Sequence, residues 1–358
     1  LREEDVAAGA REAAAWVRYF NIRRGLGVKY WEVGNEYLPW AAEIGGHVQD
    51  NSPQGWRWMT ATDYATIFRA YAKAMKAVDP SIQVAGPVSY LNAPADATGQ
   101  GNWIESFLAG AGDYVDVLDI HFYEMGDNLM EYMAASQLIS QQVSRIRAML
   151  KPYEAKRGRP IPIAISEWSD YLDQFPVGSA LFVADALGEI IASGVEWANM
   201  WDLGGQEHGI IRDFGRGYEP TGRYWAQYLW VQHMGTTLVW SSLGELSRAR
   251  LAVHATRLAD GSLTLMVINK DPEVDMAVPV QIANFLPQGQ AEVYTWGEQQ
   301  YRWDRPSGRP VLNTGPAGGR ADVGQSFIYT FPRSSITVIK MRLTTQPAGL
   351  ILMEPQKR

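Results

Sequence analysis

Between Glu3 and Phe20 apolar residues recur near helical spacing (Val6, Ala7, Ala10, Ala14, Val17), which predicts a helix. The period then changes. After a turn at Arg23-Arg24-Gly25, the run from Val28 to Val33 holds Tyr30 and Trp31, β-formers that predict a short buried strand. It stops at Gly34 and the polar pair Asn35-Glu36. Residues 37–60, with Pro39, Gly45, Gly46 and Pro53, predict a long loop. A second helix starts at Thr62-Asp63, carries Tyr64, Ile67, Phe68, Tyr71, Met75 and Val78 on one face, and ends at Asp79-Pro80. Further strands are expected over 82–86, 114–121, 160–166 and 194–201, and helices near 103–109, over 128–155, 178–193 and 220–234.

Strand and helix thus alternate through the first part of the chain, the signature of a parallel sheet with crossover helices. Polar residues stand at four of the strand tips (Glu36, His121, Glu167, Trp201). A doubly wound sheet divides its helices between two faces, whereas a barrel gathers every tip around one mouth; tips from four strands favour an α/β barrel. Near Gly235 the texture becomes short β-type runs (252–269, 274–282, 291–296, 326–331, 335–343) between Gly, Pro and Asp turns, which predicts an antiparallel β-sandwich. The expected domains are 1–235, 236–345 and a tail, 346–358.

Composition narrows the partners. With 32 basic and 39 acidic residues the net charge is −7, which disfavours nucleic acid and anionic membrane. No apolar run is expected to span a bilayer. Cysteine is absent, which excludes disulfides and thiolate chemistry and fits either side of a bacterial membrane. No metal-ligand spacing is apparent, and no cofactor is expected. The outliers are 14 tryptophans and 17 tyrosines. A large aromatic core accounts for part of them. Trp40, Trp56, Trp58 and Trp103 fall in polar, Gly/Pro-containing stretches, which suits a cleft where sugar rings stack on flat aromatics.

The chemistry rests on Glu36 and Glu167, each directly after an apolar run. Two carboxyl groups on facing strand ends are the minimum apparatus for hydrolysing a glycosidic bond: one donates a proton to the leaving oxygen while the other stays ionised. A single carboxylate at a strand end is more often a cap or an ion-pair partner; two, each beside aromatics and preceded by Asn or Ser, favour chemistry. Glu32 shares a face with Glu36 by strand alternation. Asp202, Glu207, His208 and Glu124 are candidates for the rim, with a solvated loop as the plainer reading.

Trp31-Glu-Val-Gly-Asn-Glu36 resembles the acid/base motif on barrel strand four of the clan A glycoside hydrolases, and Ile165-Ser-Glu-Trp168 resembles their strand-seven nucleophile motif. Asp119-Ile-His-Phe-Tyr123 is similar to strand six and Trp197–Trp201 to strand eight. Phe331–Ile339 is similar to the last strand of the sandwich attached to family 51 arabinofuranosidases and relatives such as families 39 and 44. The resemblance implies a retaining hydrolase of plant cell-wall polysaccharide or oligosaccharide (arabinofuranosidase, xylanase or endoglucanase). In it Glu36 would be acid/base, Glu167 nucleophile, Asn35 a partner of a sugar hydroxyl and Tyr123 a partner of Glu167. His121, Trp168, Trp201 and Trp40 would be further substrate contacts. It also implies that strands four to eight are present and the first three are not. That leaves three expectations open: a fragment completed by another chain, a homo-oligomer covering the opening, or a truly incomplete barrel. A carbohydrate-binding protein without turnover is the alternative to an enzyme.

Overall fold

The computed structural model describes residues 2–37, 47–49, 56–96, 98–123, 128–172, 176–205, 208–215, 217–244 and 249–344. The chain divides into two compact units, one comprising Leu1–Tyr123, Leu138–Ser169 and Glu189–Trp201, the other Glu124–Gln137, Asp170–Gly188 and Asp202–Arg358.

The first unit begins with helix α1 (Glu3–Val17), which runs on through a π-helical turn, Arg18–Arg23, into strand β1 (Tyr30–Glu32). A small hairpin follows, β2 (His47–Gln49) with β3 (Trp56–Trp58), within the stretch expected to be loop. Helix α2 (Ala61–Val78) starts where a Thr60–Asp63 capping box satisfies the first amides. Arg57 clamps the Asp63 carboxylate from β3, at 2.5 and 2.9 Å. The helix buries Tyr64, Ala65, Phe68, Ala72 and Met75, the expected i, i+4, i+7 stripe. Strand β4 (Gln83–Tyr90), helix α3 (Trp103–Ala111), strand β5 (Val117–Phe122), helix α4 (Leu129–Ala134), helix α5 (Leu138–Arg157), strand β6 (Ile163–Trp168), helix α6 (Pro176–Ser193) and strand β7 (Trp197–Met200) complete the alternation along the chain, with α4 and residues 176–188 of α6 counted in the second unit.

The five strands form one parallel sheet in the order β1-β4-β5-β6-β7, the curled half of an α/β barrel. Its core layer is built from Ala85, Val117 and Ala164 with Tyr30 and Trp197 packed on them. Tyr30 and Trp197 belong to the two edge strands, yet their rings lie 4.3 Å apart. Small residues on the middle strands thus let two aromatic rings from the edge strands meet across the floor of the half-barrel.

Two further expectations change. The long helix over 128–155 is interrupted by a 3-10 turn, Ala135–Gln137. The Met133 carbonyl there accepts from the nearby Ser136 Oγ (3.1 Å) and from the distant Lys270 Nζ (2.7 Å), side chains that compete with helical continuation. And α6 is, by length and mean hydropathy of 1.3, apolar enough to cross a membrane, contrary to the sequence reading; 61% of it is buried inside the molecule, as in a core helix.

The second unit carries hairpin β8–β9 (Ile211–Asp213, Tyr218–Pro220), helix α7 (Gly222–His233) and the antiparallel sheets. Strands β10 (Thr237–Val239), β11 (Leu251–Arg257), β12 (Leu263–Asn269), β13 (Met276–Gln281), β14 (Pro287–Gly297), β15 (Tyr301–Asp304), β16 (Arg309–Asn313), β17 (Ala317–Asp322), β18 (Ser326–Phe331) and β19 (Ser335–Leu343) follow in order. A six-stranded sheet, β10-β11-β12-β19-β14-β17, is covered by the pair β13-β18. Leu251, Val267, Val293, Phe331, Ile339 and Met341 fill the space between, as the expected sandwich requires.

Candidate active site

Everything at the mouth of the half-barrel depends on how β1, β4, β5 and β6 end. At β1 the Tyr64 hydroxyl donates to the Val33 carbonyl at 2.6 Å, tying the strand end to α2. Gly34 follows at φ +80, and a Cβ there would lie 2.0 Å from the Tyr37 ring, so only glycine fits. Glu36 itself sits at φ +47, a left-handed conformation that a non-glycine residue adopts at some cost and that clusters at functional sites. Its amide donates to the carbonyl of Val88 at 3.0 Å. Val88 is also left-handed, φ +54, and lies where the β4–β5 register slips between Pro87 and Ser89. A bulge in β4 thus holds the Glu36 backbone.

A second bulge aims Glu167. The β5–β6 register pairs Ile120 with Ile165 but His121 with Glu167, so Ser166 is the extra residue. The Ser166 amide donates to Asp119 Oδ1 at 3.0 Å. Asp119 is fully buried, its second oxygen has no hydrogen-bond partner, and it lies against Glu32. Burial first and the Glu32 carboxylate second push its pKa up to about 7. The hydrophobic pattern does not reveal this part for Asp119, because a bulge leaves no mark in it.

The result is a tight cluster. His121 Nδ1 lies 2.5 Å from Glu36 Oε1 and 3.5 Å from Glu167 Oε2. The Tyr123 hydroxyl donates to Glu167 Oε2 at 3.1 Å. Tyr90, not foreseen from sequence, packs its ring 6.1 Å from both His121 and Tyr123. With two carboxylates before it, Nδ1 is the protonated ring nitrogen; Nε2 is buried and has no partner. Ligand atoms of Glu36, His121 and Glu167 all lie within 4.8 Å of one another. This is the one set among the described residues with the spacing to hold a metal ion, although Glu36 and His121 are already bonded to each other. Burial raises the Glu167 pKa; the Glu36 charge adds to the rise, while His121 and the Tyr123 hydrogen bond oppose it. Tyr123 is itself held strongly protonated by burial and by the Glu167 charge.

Around the cluster, Ser89 Oγ, Ser166 Oγ, Ser169 Oγ and Asp119 Oδ2 are buried without hydrogen-bond partners among the described residues. Native interiors rarely leave so many polar atoms unmet in one place except where a ligand or water meets them.

The other sequence candidates are placed as follows. Asn35 is exposed beside Glu36 and makes no hydrogen bond among the described residues. Trp201 is 49% exposed at the end of β7, its amide bonded to the Trp168 carbonyl at 3.0 Å. Trp168 is only 1% exposed, so its ring is a core element and offers no face to a sugar. Trp103 corrects the loop reading in the same way: it opens α3, fully buried, 6.2 Å from the Tyr64 ring. Trp56 and Trp58 pack edge to face at 5.5 Å on β3, with Trp56 partly exposed. Glu32 is exposed on the inner face. Asp202 and His208 belong to the second unit, where His208 Nδ1 meets the Asp170 carbonyl at 2.8 Å. Trp40, Glu124 and Glu207 lie outside the described residues.

A curled parallel sheet of this kind, followed by an antiparallel sandwich, is part of an α/β-barrel architecture, and comparison with known proteins agrees on that fold. The chain superimposes on the α-L-arabinofuranosidase of Thermotoga maritima, solved with arabinose, with a TM-score of 0.69 at 23% identity, over 92% of this chain and 73% of that one. A bifunctional glucanase-xylanase from a metagenome library gives 0.66 at 17% identity, over 92% of this chain and 68% of that one. A family 44 xyloglucanase of Paenibacillus polymyxa gives 0.62 at 16% identity, over 92% and 70%. At these identities the likeness establishes the fold, that of the family 51 and family 44 enzymes, in agreement with the resemblance drawn from the motifs. In sequence, 147 residues are 28% identical to the intracellular exo-α-(1→5)-L-arabinofuranosidase of Halalkalibacterium halodurans, covering 40% of this chain and 26% of that relative. The matched stretch is thus about a quarter of the curated relative's length. No family model matches the chain.

Proposed function

We propose that the protein is a retaining glycoside hydrolase acting on plant cell-wall polysaccharide or oligosaccharide. The observation that carries this is the approach of Glu36 and Glu167, 131 positions apart in the sequence, to within 4.8 Å at their nearest ligand atoms. Retaining glycosidases hold their carboxyl groups about 5–5.5 Å apart, whereas inverting ones need about 6.5–9.5 Å to seat a water. In the first step Glu167 attacks the anomeric carbon. The glycosidic C–O bond breaks as Glu36 passes its proton to the leaving oxygen. In the second, water gives a proton to Glu36 and attacks the same carbon, and the ester to Glu167 breaks. His121 holds the Glu36 carboxylate and lends positive potential to both acids; Tyr123 orients the Glu167 oxygen. The Glu36 charge adds to the rise that burial gives the Glu167 carboxyl.

The solved neighbours include enzymes named for arabinose, xylan, glucan and xyloglucan chemistry, which makes arabinofuranosidase, xylanase and endoglucanase the activities to try. The test is a panel of aryl α-L-arabinofuranosides, β-D-xylosides and β-D-cellobiosides with the wild type and Glu167→Ala. Aglycone release that vanishes in the variant and returns in part with azide supports the reading. Binding of oligosaccharide without release from any substrate, or release that survives Glu167→Ala, overturns it.

A further inference from the structure

Strand β5 runs regularly between two neighbours that do not. Val117 lies in the inner layer with Ala85 and Ala164, and Asp119 and His121 follow it at two-residue steps, so all three face inward. On one side β4 slips at Val88, and on the other β6 slips at Ser166.

The slip in β6 decides which way Glu167 faces. Ala164 faces inward and pairs with Asp119. Glu167 faces inward too, since its Oε2 accepts from the Tyr123 hydroxyl at 3.1 Å and lies 3.5 Å from His121 Nδ1. From Ala164 to Glu167 is an odd step, and plain alternation would carry the glutamate to the outer face and put Ser166 on the inner one. The register makes up the difference: Ile120 pairs with Ile165, His121 pairs with Glu167, and Ser166 is surplus.

What takes hold of the surplus residue is a side chain. The Ser166 amide donates to Asp119 Oδ1 at 3.0 Å. Asp119 is fully buried, and a carboxyl group costs more to bury there than an apolar residue such as Val117. It offers what an apolar residue cannot, an acceptor beside the Ser166 amide. Without one the buried amide is unmet, and the strand satisfies it by returning to regular pairing. That return exchanges Glu167 for Ser166 on the inner face.

We infer, on the reading of Glu167 as nucleophile, that Asp119 is its positioning residue: by holding the Ser166 amide it keeps the bulge in β6 and the glutamate turned toward Tyr123 and His121. Asp119 touches no reacting atom. Either the carboxylate or the carboxylic acid presents Oδ1 to the amide, so the role asks only for an acceptor.

Asp119→Leu and Asp119→Asn are compared with the wild type and Glu167→Ala by steady-state kinetics, azide rescue and crystallography. Asp119→Leu should lower kcat by about 10²-fold or more, the cost of a misplaced reacting group, and change KM by less than about threefold. Azide should restore part of its rate, as it does for Glu167→Ala, which a merely loosened fold would not show. Asp119→Asn, which keeps the acceptor, should recover kcat to within about fivefold of the wild type. The crystal structure of Asp119→Leu should show Ser166 inward and the Glu167–Tyr123 bond lost. Should Asp119→Leu fail to fold, Asp119→Ala carries the same expectations. Wild-type kcat in the Leu variant, equal losses in the Leu and Asn variants, or Glu167 still bonded to Tyr123 in the Leu variant would each overturn the assignment. Activity undiminished in Glu167→Ala would instead overturn the nucleophile reading alone, and the crystal structure of Asp119→Leu tests the position of Glu167 in either case.

Discussion

Two buried clusters in this molecule set a histidine against a carboxylate, and they differ in one respect. In the second unit Asp185 accepts from Ser136 Oγ (2.6 Å), His254 Nε2 (2.7 Å) and Lys270 Nζ (2.6 Å). Lys270, fully buried, spends its remaining protons on the Met133 carbonyl and Ser136. Among the described residues, no buried side-chain nitrogen or oxygen of Ser136, Asp185, His254 or Lys270 is left without a partner. In the first unit His121 touches Glu36 and approaches Glu167, but its Nε2 and the nearby Ser89, Ser166, Ser169 and Asp119 oxygens are left unmet. Similar residue types at similar depth thus do different work. A saturated network holds structure, and an unsaturated one keeps capacity for a ligand and for protons in motion.

The contrast breaks most visibly under substitution of the acids. Glu167→Ala should lower kcat by about 10⁴-fold or more in steady-state assays while leaving the thermal midpoint near the wild type. Equal damage to stability would mean that the first cluster is structural after all. Lys270→Met strands Asp185 in the interior and should cost about 3–5 kcal/mol in denaturant unfolding. Adding Asp185→Leu should recover most of that loss, and no recovery would contradict a mutually satisfied pair. Glu36→Gln should slow substrates with poor leaving groups by about 10²–10⁴-fold and activated aryl glycosides far less. Equal losses on both would remove it from the acid/base role.

The two clusters also pull the pH dependence of stability in opposite directions. Lys270 and His254 overcome burial and hold Asp185 well below the usual carboxylate range. Its contribution is therefore full above the unfolded value and lost as pH falls. Asp119 is raised from 3.8 to about 7, so the folded form keeps a proton that the unfolded chain releases, and stability falls as pH rises through that window. Asp119→Asn, which retains the acceptor for Ser166, should flatten this slope when urea midpoints are compared at about pH 4 and about pH 8. A slope as steep as the wild type's would show that Asp119 is not the titrating group.

The alternation of strands and helices and the change to a sandwich were legible in sequence because each rests on local periodicity, and both glutamates stood out because each directly follows a β-run. Trp103 was read as a loop residue because a tryptophan among Gly and polar neighbours looks exposed, but it opens a helix at an Asn102 cap and is buried; Trp168, named from the family resemblance, is buried on β6. The Tyr30–Trp197 contact, the bulges at Val88 and Ser166, and the Met133 carbonyl that interrupts the long helix are tertiary events, each joining residues far apart in the chain. They decide how the glutamates point, which no local pattern encodes.

The most direct test of the paired-glutamate account is the anomeric configuration of the first-formed product, followed by proton NMR on the best substrate of the panel. Release with retention, abolished in Glu167→Ala and replaced by a glycosyl azide of inverted configuration when azide is added, is the predicted result. A first product of inverted configuration from the wild type would contradict it.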